Sequence, residues 1–258
     1  MLDTDGEAQR TVETDWPVVE LRQYTLKPAR RDELIALFEE HFIEGQERHG
    51  MRVIGQFRRR DDPDQFVWLR GFSDMEARRQ ALQGFYYGPI WQEHRAAAND
   101  TMIDSDNVVL LKPVRAISGP RIDVSRRPAL DAPDTERGTV IATVYNFGTP
   151  VGTSFVDFFE TKLAPALRAA GAALLGYYIT EPAENTFPQL PVREGEHAFV
   201  WLASFVDEEM YAAYQTALAA NQEWIIELVP ALQRWLLKSE EVLELTPTRR
   251  SLLRHRSA

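Results

Sequence analysis

Polar and apolar positions alternate through Val18-Val19-Glu20-Leu21-Arg22-Gln23-Tyr24, with Val19 and Leu21 on one side and Glu20, Arg22 and Tyr24 on the other. That two-residue period predicts a strand, ended by Pro28. From Asp32, read as a helix cap, Leu34, Ile35, Leu37, Phe38, His41 and Phe42 recur at helical spacing until Gly50. Residues 51–58 and 66–72 read as strands joined by the Arg59-Arg60-Asp61-Asp62-Pro63-Asp64 turn. Asp74 then caps a helix to about Phe85, Gly88-Pro89 breaks it, a second helix runs over residues 90–101, and Val108 to Leu111 form a closing strand. Strand, helix, strand, strand, helix, strand is the ferredoxin-like order.

The pattern occurs twice. Phe66-Val67-Trp68-Leu69-Arg70-Gly71-Phe72 returns 133 residues later as Phe199-Val200-Trp201-Leu202-Ala203-Ser204-Phe205, and Asp74 and Trp91 return at the same offset as Asp207 and Trp224. Upstream the offset is 121, pairing Tyr24 with Tyr145, Phe38 with Phe159, Gly50 with Gly171 and Gly55 with Gly176. Twelve extra residues therefore enter the second copy between Gly176 and Phe199, and Glu184 to Gly195 have the proline, glycine and charge content of a loop. The expected organisation is a first domain over 16–114, a linker over 115–138, a second domain over 139–248 and a basic tail over 249–258 read as a solvated terminus. Strand 66–72 is apolar on both sides, so the open face of each sheet needs a cover. The expected fold is α+β: two tandem ferredoxin-like βαββαβ domains whose antiparallel sheets pack into a pseudo-dimeric α/β barrel.

Composition narrows the function. The 258 residues carry a net charge of −10, which disfavours a broad nucleic-acid surface. Cysteine is absent, so disulfides, thiolate metal sites and a cysteine nucleophile are excluded. No apolar run approaches the roughly 20 residues of a membrane span, and the acidic start has no secretion or transit character, which reads as cytoplasmic. No zinc-protease, P-loop, dinucleotide or α/β-hydrolase motif is present, so no metal or bound nucleotide is expected.

The segment Glu20-Leu21-Arg22-Gln23-Tyr24-Thr25-Leu26-Lys27-Pro28, with Arg31-Asp32-Glu33-Leu34, Gly55-Gln56-Phe57 and Phe66-Val67-Trp68-Leu69-Arg70, resembles the NIPSNAP family. The resemblance is strong over Val18 to Val114 and weaker over Thr139 to Thr248. It implies the dimeric α/β-barrel superfamily, whose other members include small quinone-forming monooxygenases and haem-binding proteins. It supplies no catalytic motif.

The two copies can be compared position by position. Glu20, Arg22, Gln56, Arg70 and His94 face Ile141, Thr143, Tyr177, Ala203 and Glu227, so the first copy is the polar one. Parity places Glu20, Arg22, Tyr24, Trp68 and Arg70 on the face expected to point into the barrel. A buried arginine there needs either Glu20 or an anionic or carbonyl-bearing ligand. His94 lies with Trp91, Arg95 and Ala98 on one helix face and reads either as a proton carrier beside a cavity or as a half-exposed histidine beside Glu93. His94 is also the candidate axial ligand in a haem-binding variant.

Two functions stay open. One is a small-molecule binder or enzyme without a nucleotide cofactor. Its barrel cavity would use Arg70 and His94 for chemistry and Arg22, Tyr24, Gln56, Trp68, Tyr87 and Trp91 for binding. The other is a non-catalytic interaction protein with a solid barrel core, and either could form homo-oligomers.

Overall fold

A computed structural model describes residues 12–13, 16–134 and 138–255. The acidic start, residues 1–7, and the last basic position of the tail, Arg256, lie outside the described residues. The first half runs β1 (Val18–Leu26), α1 (residues 31–47), β2 (Arg52–Arg59), β3 (Gln65–Phe72), α2 (Met75–Tyr86), α3 (Pro89–Thr101) and β4 (Met102–Pro113). The second runs β5 (Thr139–Phe147), α4 (residues 153–169), β6 (Ala173–Thr180), β7 (His197–Phe205), α5 (Glu208–Ala220), α6 (residues 224–233) and β8 (Glu241–Pro247). The strands close into one antiparallel barrel in the order β8-β2-β3-β1-β4-β6-β7-β5. The halves join through β4 with β6 and through β8 with β2, so no sheet edge is left free between them.

Local signals set many of these elements. Asp74 and Asp207 occupy equivalent positions, and each carboxylate accepts from a backbone amide three residues on, Ala77 N at 2.7 Å and Met210 N at 2.8 Å. The first long helix behaves differently from the sequence expectation. Arg30, not Asp32, sits at its cap position, and Asp32 lies in the first turn, where a carboxylate favours the positive helix end. α1 and α4 both widen into a π turn at matching places, Phe38–Phe42 and Phe159–Leu163.

Three apolar clusters hold the chain. One consists of strand residues from both halves, including Val19, Leu21, Val67, Leu69, Val109, Leu111, Val140, Ala142, Val200, Leu202, Leu243 and Leu245, and fills the barrel. The second packs Tyr24, Phe66, Trp68 and Phe72 against Leu34, Phe38, Phe42, Leu82 and Phe85 of the helices. The third does the same in the second half with Tyr145, Phe199, Trp201 and Phe205. This corrects the expected orientation of Glu20, Arg22, Tyr24, Trp68 and Arg70: they face the helices, and the barrel lumen is filled mainly by aliphatic side chains, with two rings, Phe57 and Tyr178, among them. Large aromatic rings bridge the roughly 10 Å between a sheet and its helices, whereas the taper of a small barrel suits Val, Leu and Ala.

The tail is also corrected. Instead of extending into solvent, residues 249–253 fold over one barrel end. Leu252 and Leu253 join the lumen cluster, Leu253 N donates to Ile54 O at 3.0 Å, and Ser251 Oγ accepts from Gln56 N at 3.2 Å. Buried Glu39 accepts from Arg249 Nη2 at 2.9 Å and from Arg250 N at 3.0 Å. The linker contributes Ile122 to the same lumen cluster, and Arg127 donates to Glu47 at 2.6 Å and to Arg250 O at 3.0 Å. A basic run on an acidic protein is held here by specific carboxylates.

Candidate functional site

The space between the first sheet and its helices holds one carboxylate and three guanidinium groups. Glu20 and Arg22 come from β1, Arg70 from β3 and Arg78 from α2. Glu20 Oε2 accepts from Arg22 Nη1 at 2.8 Å and from Arg70 Nε at 2.6 Å, while Oε1 accepts from Arg78 Nε at 2.7 Å. All four side chains have 0% exposure. One negative and three positive charges leave the cluster with an excess of two positive charges.

Buried charge is costly unless it is paired and hydrogen-bonded, so the remaining donors are informative. Arg22 Nε donates to Tyr24 Oη at 3.1 Å, and Arg70 Nη1 donates to Gln46 Oε1 at 2.8 Å. Arg78 Nη1 reaches Asn185 Oδ1 at 3.0 Å and Thr186 Oγ1 at 3.2 Å. Arg70 Nη2 and Arg78 Nη2 are buried and have no acceptor among the described residues. The ring faces of Trp68 and Tyr86 lie 5.0 and 5.9 Å from the Arg70 guanidinium carbon and supply partial compensation.

Burial opposes ionisation of Glu20, but Arg70, Arg78 and Arg22 together outweigh it and hold the carboxyl well below its ordinary value. Burial pulls the Arg78 guanidinium down, with Glu20 opposing. Burial pushes the Tyr24 phenol up, so Tyr24 is neutral at ordinary pH. A carboxyl depressed in the folded state stabilises the fold above its unfolded value, near 4.5, and that contribution is lost as pH falls through the folded value. The urea midpoint of the wild type is therefore expected to fall between pH 5 and pH 3, with a shallower fall in Glu20→Gln. Parallel slopes would show that Glu20 is not the group responsible.

Gln46, Trp68 and Tyr86, all in contact with Arg70, also line a small cavity with Tyr24, Phe42 and Trp91; its volume is 30 Å³, room for a water or two. Outside it lies an open groove of 420 Å³ bounded by Tyr86, Tyr87, Trp91, Arg95, Phe187 and Leu190. Tyr86 and Trp91 belong to both.

The loop between β6 and β7 covers this region. Asn185 and Thr186 hold Arg78, Thr186 Oγ1 also donates to Met75 O at 3.1 Å, and buried Phe187 stacks on Tyr86 at 6.1 Å. The loop is tied to β4 at both flanks by Glu181 N to Leu110 O at 2.9 Å and Arg193 N to Val108 O at 2.8 Å. Removing an acceptor from a buried guanidinium costs about 1.5–3 kcal/mol. Asn185→Ala is expected to lower stability by about that amount in urea titrations, and an unchanged midpoint would mean that the loop rests on Arg78 without supporting it.

Of the residues expected at a site, Arg22, Tyr24, Trp68 and Arg70 converge, and Trp91 joins them at the cavity wall. Tyr87 is 62% exposed on the groove rim. Gln56 is fully buried opposite Trp68 in the ladder, but neither of its side-chain amide atoms has a partner among the described residues and it does not line the cavity. His94 stacks on His41 with ring centroids 3.8 Å apart, lies 3.9 Å from Glu93, and lines neither the cavity nor the groove. Gln46, Arg78, Asn185 and Thr186 were not expected. The comparison of copies carried a signal for two of them, since Gln46 and Arg78 face Leu167 and Tyr211.

The strands of both halves thus close one eight-stranded antiparallel barrel, flanked by helices, within a single chain. Crystal structures of two candidate monooxygenases share that fold. One, from Fusobacterium nucleatum, is 8% identical, with 95% of this chain and 100% of that chain covered and a TM-score of 0.54. The other, from Lactobacillus acidophilus NCFM, is 11% identical, with 91% and 97% covered and a TM-score of 0.50. Residues 19–116 match the NIPSNAP family model. An uncharacterized NIPSNAP-like domain protein from Burkholderia xenovorans is 28% identical over 40% of this chain and 90% of its own, with a TM-score of 0.36. No curated protein matches the sequence. Among the described residues no helix is long and apolar enough to cross a membrane.

Proposed function

We propose that the first half binds a small aromatic or carbonyl-bearing anion between sheet and helices, with Arg70 as its anchor and without a nucleotide cofactor. The observation that carries this reading is the excess positive charge around Glu20, with Arg70 Nη2 unpartnered behind an aromatic cavity. A carboxylate, enolate or phenolate oxygen would complete the Arg70 guanidinium, and in a transformation the same contact would stabilise charge on a carbonyl oxygen. The two halves read as ferredoxin-like copies of which only the first kept polar residues. In the second, Ile141, Thr143, Tyr145, Trp201, Ala203 and Tyr211 occupy the equivalent positions. A haem does not fit this site, because His94 stacks on His41 away from the cavity wall.

The test is a titration of tryptophan fluorescence with benzoate and with neutral benzamide, on wild type and Arg70→Met. Saturable benzoate binding is expected, weakened about tenfold or more by Arg70→Met, as loss of a charge-assisted contact requires. Equal binding of the two probes, or benzoate binding indifferent to Arg70, would overturn the reading. The alternative of an interaction protein draws on the solid barrel core, but that core leaves the Arg70 site untouched.

A further inference from the structure

The cavity beside Arg70 is too small for its proposed ligand. At 30 Å³ it takes about two waters, whereas small-molecule sites occupy roughly 300 Å³ or more. The neighbouring groove, at 420 Å³, is large enough but open, and its bounding residues do not include Arg70. One side chain accounts for this division. Tyr86, at the last position of α2, lies edge-on to Trp91 at 4.9 Å, stacks on Phe187 at 6.1 Å and presents its face to Arg70 at 5.9 Å. It is a wall of both spaces.

The position suits a movable group. Tyr86 ends its helix, is half-buried, and is followed by Tyr87 and Gly88, where the backbone turns extended before α3. No hydrogen bond from a described residue holds its hydroxyl, so a swing about its side-chain torsions gives up only ring contacts. Tyr86 also meets buried Phe85, at 5.1 Å, but Trp91, the other shared wall, is held by two buried rings, Phe42 at 5.5 Å and Phe85 at 5.9 Å.

We infer that Tyr86 is the partition between two parts of one binding site, and that the ligand is an elongated aromatic anion whose charged end reaches Arg70 and whose body lies along Trp91 and Phe187. This rests on the anion-binding reading of Arg70. Displacement of Tyr86 merges cavity and groove, and the ligand's ring takes over its stacking contact with Phe187. In place, the ring obstructs ligands long enough to occupy both parts, and its displacement admits them.

The experiment measures the ratio of dissociation constants for benzoate and 2-naphthoate in wild type, Tyr86→Ala, Tyr86→Leu and Tyr86→Phe. Tyr86→Ala is expected to shift the ratio about tenfold toward the two-ring anion. Tyr86→Leu should shift it in the same direction by less, and Tyr86→Phe, which keeps the ring, should leave it within twofold. Benzoate binding that still depends on Arg70, with a ratio unmoved by Tyr86→Ala and Tyr86→Leu, would overturn the partition and leave the anion site standing. Failure of both probes to bind any form would overturn the anion site and the partition with it.

Discussion

Glu20→Gln is expected to destabilise the protein by about 3–5 kcal/mol, the range for breaking a buried ion pair by removing one partner. The carboxylate is the shared acceptor for Arg22, Arg70 and Arg78, so its loss leaves three buried guanidinium groups without a counter-charge. Glutamine keeps the shape but supplies one acceptor oxygen and turns an amide donor toward a cation. At about 2–4 °C per kcal/mol for a chain of this size, the melting temperature should fall by roughly 6–20 °C. Arg70→Met should cost less, although it breaks the same Glu20–Arg70 bond, because it reduces the excess positive charge. That ordering distinguishes a cationic cluster from a balanced pair: if Arg70→Met destabilises as much as Glu20→Gln in thermal melts, the cluster carries no excess that a ligand could satisfy.

Deleting residues from Arg249 onward should have the larger effect. Leu252 and Leu253 are buried in the barrel cluster, and removal of a buried leucine side chain costs about 2–5 kcal/mol. The deletion also leaves Glu39 buried without Arg249 and without the Arg250 amide. Together these losses approach the 5–15 kcal/mol that holds a typical domain folded. The shortened chain is expected to lose its cooperative thermal transition, while Leu253→Ala alone retains one at a lower temperature. A sharp melt from the shortened chain, within a few degrees of wild type, would show that the tail lies on the barrel without closing it.

Much of the barrel was legible element by element: the caps at Asp74 and Asp207, and the strands at Phe66 and Phe199, could be read before any packing is considered. Membership of a face was legible too, since a two-residue period puts Glu20, Arg22 and Tyr24 together whatever covers them. Which cover they met was not. Both faces of β3 are buried, so hydrophobicity alone could not separate lumen from helix layer. The sizes of the side chains could have done so, with Phe66, Trp68 and Phe72 on one face and Val67 and Leu69 on the other. His94 shares a helix stripe with Trp91 and Ala98, yet it sits at the stripe's edge and meets His41 rather than the cavity. The loop over 184–195 announced itself as an insertion, but its hold on Arg78 joins residues 107 positions apart, which no local pattern encodes. The tail shows the same limit, because Glu39 and Arg250 meet only after the barrel has closed.

The closed ring of strands gives the apolar second half a task that its own residues do not advertise. Around Trp201 and Phe199 it buries aromatic and aliphatic groups with no charge among them, and it is joined to the first half along two seams. Where identical subunits form such a ring, every change in one wall is imposed on the other. A ring closed within one chain carries no such constraint, so one wall can concentrate cations at a cost to folding while the other acts as ballast.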